Sequence, residues 1–180
     1  QLGDPHLACP VVHVGGSAGK GSTSAMTASI LRAAGWRTGL YTSPHLVSFR
    51  ERIQVNGVPI SEQAVAAWTE RLAGEIDARR GTFFEATTAM AFAHFAECEV
   101  DVAVIEAGLG GRLDSTNVVS PTVATVTAIG NASPSGGSIT RFTVTVPSVT
   151  MLIHRICTAA SGSGKPTTSA SSSTSTSAIE

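Results

Sequence analysis

Val11 to Ser22 reads VVHVGGSAGKGS: a β-branched run breaks into a glycine-rich turn, and a lysine and a serine then open a helical stretch. Gly15, Gly16, Gly19 and Gly21 let the backbone take positive φ and approach an anion closely, while a helix beginning near Lys20 aims its N–H groups at the same point. Lys20 adds a mobile positive charge. Together these are the parts of a phosphate cradle. The spacing departs from G-x-x-x-x-G-K-[ST], because Val14 stands where the first glycine would be and Gly21 separates Lys20 from Ser22. The turn is therefore read as a variant phosphate loop, against the plainer reading of a tight strand-to-helix turn with a solvated lysine.

A second group completes the chemistry. Asp101 to Glu106, DVAVIE, is an apolar run ending in a carboxylate, which matches a buried parallel strand presenting Glu106 at its C-terminal edge. Open α/β sheets bind ligands at that edge. A phosphate loop beside a strand-end acid suits Mg²⁺ and a nucleotide, since Mg²⁺ takes one or two protein oxygens and fills its shell with phosphates and water. Lys20 and Glu106 are the residues expected to carry the chemistry.

The elements that must position these groups follow from local pattern. Val11 to Val14 is expected as the first strand and Gly19 to Ala34 as its helix, closed by Gly35. Thr38 to Tyr41 is a second strand. Ser43 to Gly57 has no helical period and is expected to be a long loop, with a hairpin around Asn56-Gly57. Ser61 caps a helix with an apolar face of Val65, Trp68, Leu72 and Ile76, running to about Arg79. Glu85 to Glu97 is a further, largely buried helix, and Val100 to Glu106 and Thr122 to Ile129 are two more strands. Strands alternating with helices imply parallel β-α-β units and a doubly wound, three-layer α/β sandwich.

Composition sets the limits. The chain has 180 residues, 42% of them hydrophobic, enough for one domain with a core. A net charge of −1 without a basic patch leaves nucleic-acid binding no electrostatic footprint. Cys9, Cys98 and Cys157 are odd in number and far apart, which disfavours a disulfide framework and a cysteine zinc site and fits a reducing cytoplasm. No leader and no apolar stretch of membrane-spanning length are visible, so a soluble protein is expected. A chain opening on Gln1 also suggests a missing start.

Four motifs, HVGGSAGKGS, LYTSPHLVSFRERI, FFEATTAMAF and VIEAGLGGRLDSTNVV, stand in this order between Leu2 and Gly130. In these the chain resembles the folylpolyglutamate synthase/dihydrofolate synthase family, a branch of the Mur ligase superfamily. The resemblance implies a P-loop-containing, mostly parallel sheet flanked by helices, like the Mur ligase central domain but incomplete. It covers the first half or less of a family member. The implied activity is that of an ATP- and Mg²⁺-dependent ligase, cytoplasmic and monomeric, joining L-glutamate to dihydropteroate or a folate. ATP phosphorylates the acceptor carboxylate, and the glutamate amine then displaces phosphate from the acyl phosphate.

By the same resemblance Ser17, Ala18, Gly19, Lys20, Gly21 and Ser22 match the ATP loop, although Ser17-Ala18 replaces the usual Thr-Asn. Ser43 and Glu106 match Mg²⁺ ligands, hard oxygen donors suited to that ion. Thr82, Phe83, Phe84 and Glu85, with Leu113, Asp114 and Ser115, match segments that contact the pterin-bearing substrate. For Glu85 the plainer role is a helix N-terminus, and for Asp114 an ion pair with Arg112.

Beyond TVTAIG the pattern breaks. Where the family continues with Leu-Asp-His, whose histidine serves a second Mg²⁺, this chain has Asn131, Ala132 and Ser133. Residues 1–130 are thus expected as a partial ATP-binding domain. Residues 131–180 are expected as an unrelated, mostly disordered Ser/Thr-rich tail, with a strand or helix allowed within Arg141 to Ile156. The abrupt switch reads as a frame change or a truncated gene. Gly162 to Thr167, GSGKPT, mimics a phosphate loop, but Pro166 removes a backbone donor, and a flexible linker is the better reading. Little turnover is expected from these 180 residues alone. A nucleotide-binding fragment without catalysis, an inert remnant, and a ligase of cell-wall precursors remain as alternatives.

Overall fold

The computed structural model describes residues 2–127 together with Val144 and Thr145. The expectations for the remainder of residues 131–180, for the break at Asn131 and for Gly162 to Thr167 lie outside the described residues.

Among the described residues seven strands form one mixed sheet. In chain order they are β1 (Val11–Gly15), β2 (Thr38–Tyr41), β3 (Ile53–Val55), β4 (Val58–Pro59), β5 (Val102–Glu106), β6 (Val123–Val126) and β7 (Val144–Thr145). They lie side by side as β4-β3-β2-β5-β1-β6-β7. The four inner strands β2, β5, β1 and β6 are parallel, and β3, β4 and β7 join antiparallel at the two edges. The strand β7 lies within Arg141 to Ile156, the part of the tail for which the sequence allows a strand or helix. The hairpin β3–β4 turns at Asn56 and Gly57, both at positive φ, as the Asn-Gly pair predicts.

Among the described residues three α-helices cover the sheet: α1 (Lys20–Ala33), α2 (Glu62–Arg79) and α3 (Phe83–Glu97). Period-two alternation divides the strand side chains between two cores. On one face Val12, Val14, Leu40, Val102 and Val104 pack with Ala28 and Leu31 of α1. On the other, Val11, Tyr41, Ile53, Ala103 and Ile105 pack with Met90, Ala91, Phe92 and Phe95 of α3, and with Trp68 and Leu72 of α2 behind it. Each fully buried side chain of this size contributes about 1.5–3 kcal/mol. The three-layer arrangement expected from the sequence is present.

Some boundaries differ, for local reasons. The helix expected from Glu85 opens two residues earlier at Phe83, because Thr82 and Glu85 form a capping box that starts it there. The segment expected as a loop after Ser43 contains a 3-10 helix, Phe49–Arg52, with a capping box of its own from Ser48 and Glu51. Between β5 and β6 the crossover carries only a 3-10 helix, Ser115–Val118, rather than the α-helix that regular alternation implies. The strands expected from Val100 and Thr122 begin later, β5 at Val102 and β6 at Val123.

Candidate active site

The inner strands point their C-terminal ends at one rim, where the predicted residues gather. Strand β1 lies between β5 and β6, with Val14 level with Glu106 and Gly15 level with Val126. The turn after β1 is thus bracketed by the tips of both neighbours. Thr127 fastens it from the β6 side, its N–H and its hydroxyl both donating to Gly15 O, at 2.9 and 3.1 Å. Gly16, at φ 129°, has no room for a side chain, because a Cβ there would collide with Thr127 Oγ1. Gly19, at φ 80°, stands at the N-terminal end of α1, which no side chain caps. The first-turn amides of Lys20, Gly21 and Ser22 therefore carry the positive end of the helix dipole toward the rim. Ser17 and Ala18 form the exposed part of the turn.

Glu106 comes to this helix end from the next strand. It shares the parity of Val102 and Val104, so its side chain lies on the α1 face. A Cβ built on Gly21 would lie 3.6 and 3.7 Å from its two carboxylate oxygens. Glycine at 21 keeps the space in front of the acid open. The Ser43 N–H donates to Glu106 Oε2 at 3.1 Å, which brings the third predicted group to the same spot. Glu106 is only 4% exposed. Burial pushes its carboxyl above the ordinary glutamate value, while the Ser43 N–H and the charge of Lys20 pull it down.

A buried carboxylate with one backbone donor, a serine beside it and a cleared approach make a hard-oxygen site that fits Mg²⁺. Among the described residues no cluster of three or more His, Cys, Asp or Glu could hold a metal. An ion here would draw most of its shell from phosphate and water, the usual arrangement for Mg²⁺.

The opposite face of the rim carries the segments expected to contact substrate. Phe83 is 62% exposed at the start of α3, and Phe84 is half-buried behind it. A Cβ on Gly108 would lie 2.5 Å from Phe84 Cζ and 3.1 Å from Asp114 Oδ2. The loop after β5 and the start of α3 thus meet at Gly108. Leu113 is 90% exposed, and Ser115 opens the 3-10 helix.

Several predicted polar residues are occupied within the protein. Thr82 and Glu85 hold each other in the capping box, with Glu85 Oε2 accepting from the Thr82 N–H at 2.7 Å and its hydroxyl at 2.8 Å. Asp114 makes no ion pair with Arg112. Its Oδ2 accepts from the Leu109 N–H and its Oδ1 from the N–H and hydroxyl of Thr116. Burial pushes the Asp114 carboxyl up, but these hydrogen bonds outweigh it and hold the group below the ordinary aspartate value.

Four residues to which the sequence gives no site role of their own, His13, Tyr41, Arg52 and Thr116, lie on this face. His13 Nε2 lies 2.8 Å from Thr116 Oγ1. Tyr41 places its hydroxyl 3.0 and 3.1 Å from those of Thr87 and Thr88. Arg52 is buried and donates from Nε to His45 Nδ1 at 2.8 Å. For His13 a signal was present: its parity within VVHVG places it opposite Val12 and Val14, on the α3 face. Arg52 and Thr116 gave none, because their partners are 7 and 103 residues away and meet only in the fold.

No protein-family model matches the chain. Over 138 residues it is 44% identical to the dihydrofolate synthase/folylpolyglutamate synthase of Bacillus subtilis, an alignment covering 73% of this chain and 32% of that protein. The crystal structure of folylpolyglutamate synthase from Thermotoga maritima superposes with a TM-score of 0.67 at 49% identity, over 70% of this chain and 31% of that one. The Mycobacterium tuberculosis folylpolyglutamate synthase complexed with ADP and AMPPCP gives 0.68 at 42% identity, over 75% and 33%. The chain spans about a third of the length of these relatives. The mixed α/β sheet with flanking helices is the fold of these synthases. Over about 70% of its length the chain is homologous to the folylpolyglutamate synthases/dihydrofolate synthases.

Proposed function

We propose that residues 2–127 form the nucleotide- and acceptor-binding part of an ATP-dependent ligase that adds L-glutamate to dihydropteroate or a folate. The observation that carries this reading is the meeting of the turn Gly16–Ser22, Glu106 and Ser43 at one rim, with the Phe83–Phe84 segment on the other face of the same strand tips. The α1 amides and Lys20 bind the phosphates and offset charge on the transferring phosphoryl group. Glu106 and the Ser43 hydroxyl are the groups that would hold Mg²⁺, which when bound supplies further charge neutralisation at the phosphates. Phe83 and Phe84 offer an apolar wall for a flat heteroaromatic acceptor, with Leu113, Asp114 and Ser115 on the neighbouring loop.

Glutamate as second substrate, a monomeric state and a cytoplasmic location follow from the family reading. No described helix is long and apolar enough to cross a membrane. The domain limit near Gly130 belongs to the same reading.

Titration of the chain with Mg-AMPPCP, followed by calorimetry, tests the proposal. Saturable binding that Lys20→Ala weakens by about tenfold or more supports it. Wild-type chain that is folded yet binds no nucleotide sinks it. In a parallel assay the 180-residue chain alone is expected to give no ATP-dependent glutamate incorporation.

A further inference from the structure

Arg52 is 8% exposed, yet among the described residues no carboxylate lies within ion-pair distance of its guanidinium. The described ion pairs belong to other arginines, Arg50 with Glu62 and Arg79 with Glu75. The Arg52 Nε donates to His45 Nδ1, and its Cζ lies 5.4 Å from the centroid of the Phe83 ring. Both terminal Nη groups are left without an acceptor among the described residues. The charge thus has one neutral partner and one aromatic face, which offset it only in part, and its Nη groups are not sealed from solvent, the buried unpaired side-chain atom among the described residues being Ser24 Oγ.

Its position gives this imbalance meaning. The Thr42 N–H donates to Arg52 O at 3.0 Å, so the arginine backbone lies one residue from Ser43, the neighbour of Glu106. The ring on which the guanidinium rests is the exposed Phe83, itself braced edge-on by Phe49 at 6.0 Å, with His45 edge-on to Phe49 at 6.3 Å. The Arg52 charge is also felt at the Tyr41 hydroxyl, on the α3 face of the rim. An aromatic platform thus stands beside a guanidinium that has no ion-pair partner among the described residues. That combination fits a planar acid, whose ring would lie on Phe83 while its carboxylate takes the two Nη groups in a bidentate pair.

We propose that Arg52 and Phe83 form a binding site for an aryl carboxylate, in which Arg52 determines that the acceptor must carry a carboxylate. The inference rests on the ligase reading for the acceptor's identity, and on this chain's own residues for the site.

The test uses the whole chain with benzoate and methyl benzoate as probes, and ¹⁵N NMR of the arginine Nε–H groups as readout. The Arg52 signal is assigned by its loss in Arg52→Gln. Benzoate is expected to shift that signal saturably and to bind roughly tenfold more tightly than the ester. Arg52→Gln should abolish the preference for acid over ester. Phe83→Leu, which leaves the guanidinium intact, should weaken benzoate severalfold and so keeps the proposal testable if the arginine variant fails to fold. Equal affinity for acid and ester in the wild-type chain overturns the site, as does an Arg52 signal unmoved by benzoate up to about 10 mM. Mg-AMPPCP binding measured on the same samples reports the ligase reading separately: its loss with benzoate binding retained overturns that reading and leaves the aryl-carboxylate site standing.

Discussion

His13 Nε2 lies 2.8 Å from Thr116 Oγ1 across a sequence separation of 103 residues, and this contact ties the crossover after β5 to the strand that carries the phosphate turn. The direction of each bond is fixed. Thr116 donates its hydroxyl proton to Asp114 Oδ1, so its oxygen accepts from His13, which must carry its proton on Nε2. Burial lowers the His13 pKa, against the nearby negative charge of Asp114.

Thr116→Val keeps the shape of this fully buried side chain and removes both hydroxyl bonds. It is expected to cost about 1–3 kcal/mol. Thr116→Ser keeps both and should lie close to wild type. Urea unfolding compares the three proteins, and a valine variant as stable as wild type would show that the relay holds nothing.

Glu106 should behave in the opposite way to an ordinary structural acid. Its folded pKa is raised by burial above 4.5, so the folded state binds the proton more tightly than the unfolded one. Stability is therefore fullest below the unfolded value, falls as pH rises through the window up to the folded pKa, and stays lower beyond it. Glu106→Gln removes the buried charge, and at about pH 7 the ligand-free variant should melt at the same temperature as wild type or higher. The same change should abolish the gain in nucleotide affinity on adding Mg²⁺. A destabilised variant that still responds to Mg²⁺ would contradict both expectations.

The legible part of this protein is whatever depends on local period and turn chemistry. Val102 to Glu106 is apolar at every position up to its acid, and Asn56-Gly57 admits one hairpin turn, so the strand and the hairpin can be read directly. The turn Gly16–Ser22 and Glu106 are legible as a pair because each has a motif of its own. The roles of Thr82, Glu85 and Asp114 are less so, because a hydroxyl or carboxylate in a loop serves a helix cap as readily as a ligand. Only the coordinates show their oxygens already engaged. Arg52 is hidden for a third reason: whether a guanidinium is paired depends on tertiary neighbours that no window of sequence contains.

Gly39 marks how closely α3 sits on the sheet. A Cβ there would lie 3.0 Å from Phe95 Cγ and Cδ1, and Phe95 is 1% exposed with no space to move into. Gly39→Ala is expected to destabilise by about 1–3 kcal/mol through overpacking. Nucleotide affinity should be unchanged once the variant is folded. A thermal melt paired with an AMPPCP titration separates the two effects, and an alanine tolerated without loss of stability would refute the close packing.

Asp114 contributes to the acid limb of the stability curve. Its folded pKa lies below the unfolded value of 3.8, so its stabilising effect is present above that value and is lost as pH falls through the folded pKa. Asp114→Asn turns an acceptor-only group into one that presents N–H to the Leu109 amide or to Thr116, and it should cost about 2–3 kcal/mol at about pH 7. The difference from wild type should narrow as pH drops below 3.8, because the wild-type carboxyl then becomes protonated as well. Urea unfolding across that range measures it directly. A gap that stays constant down to the most acid sample would mean that the carboxylate charge contributes nothing, and that the loop after β5 is held by its backbone contacts alone.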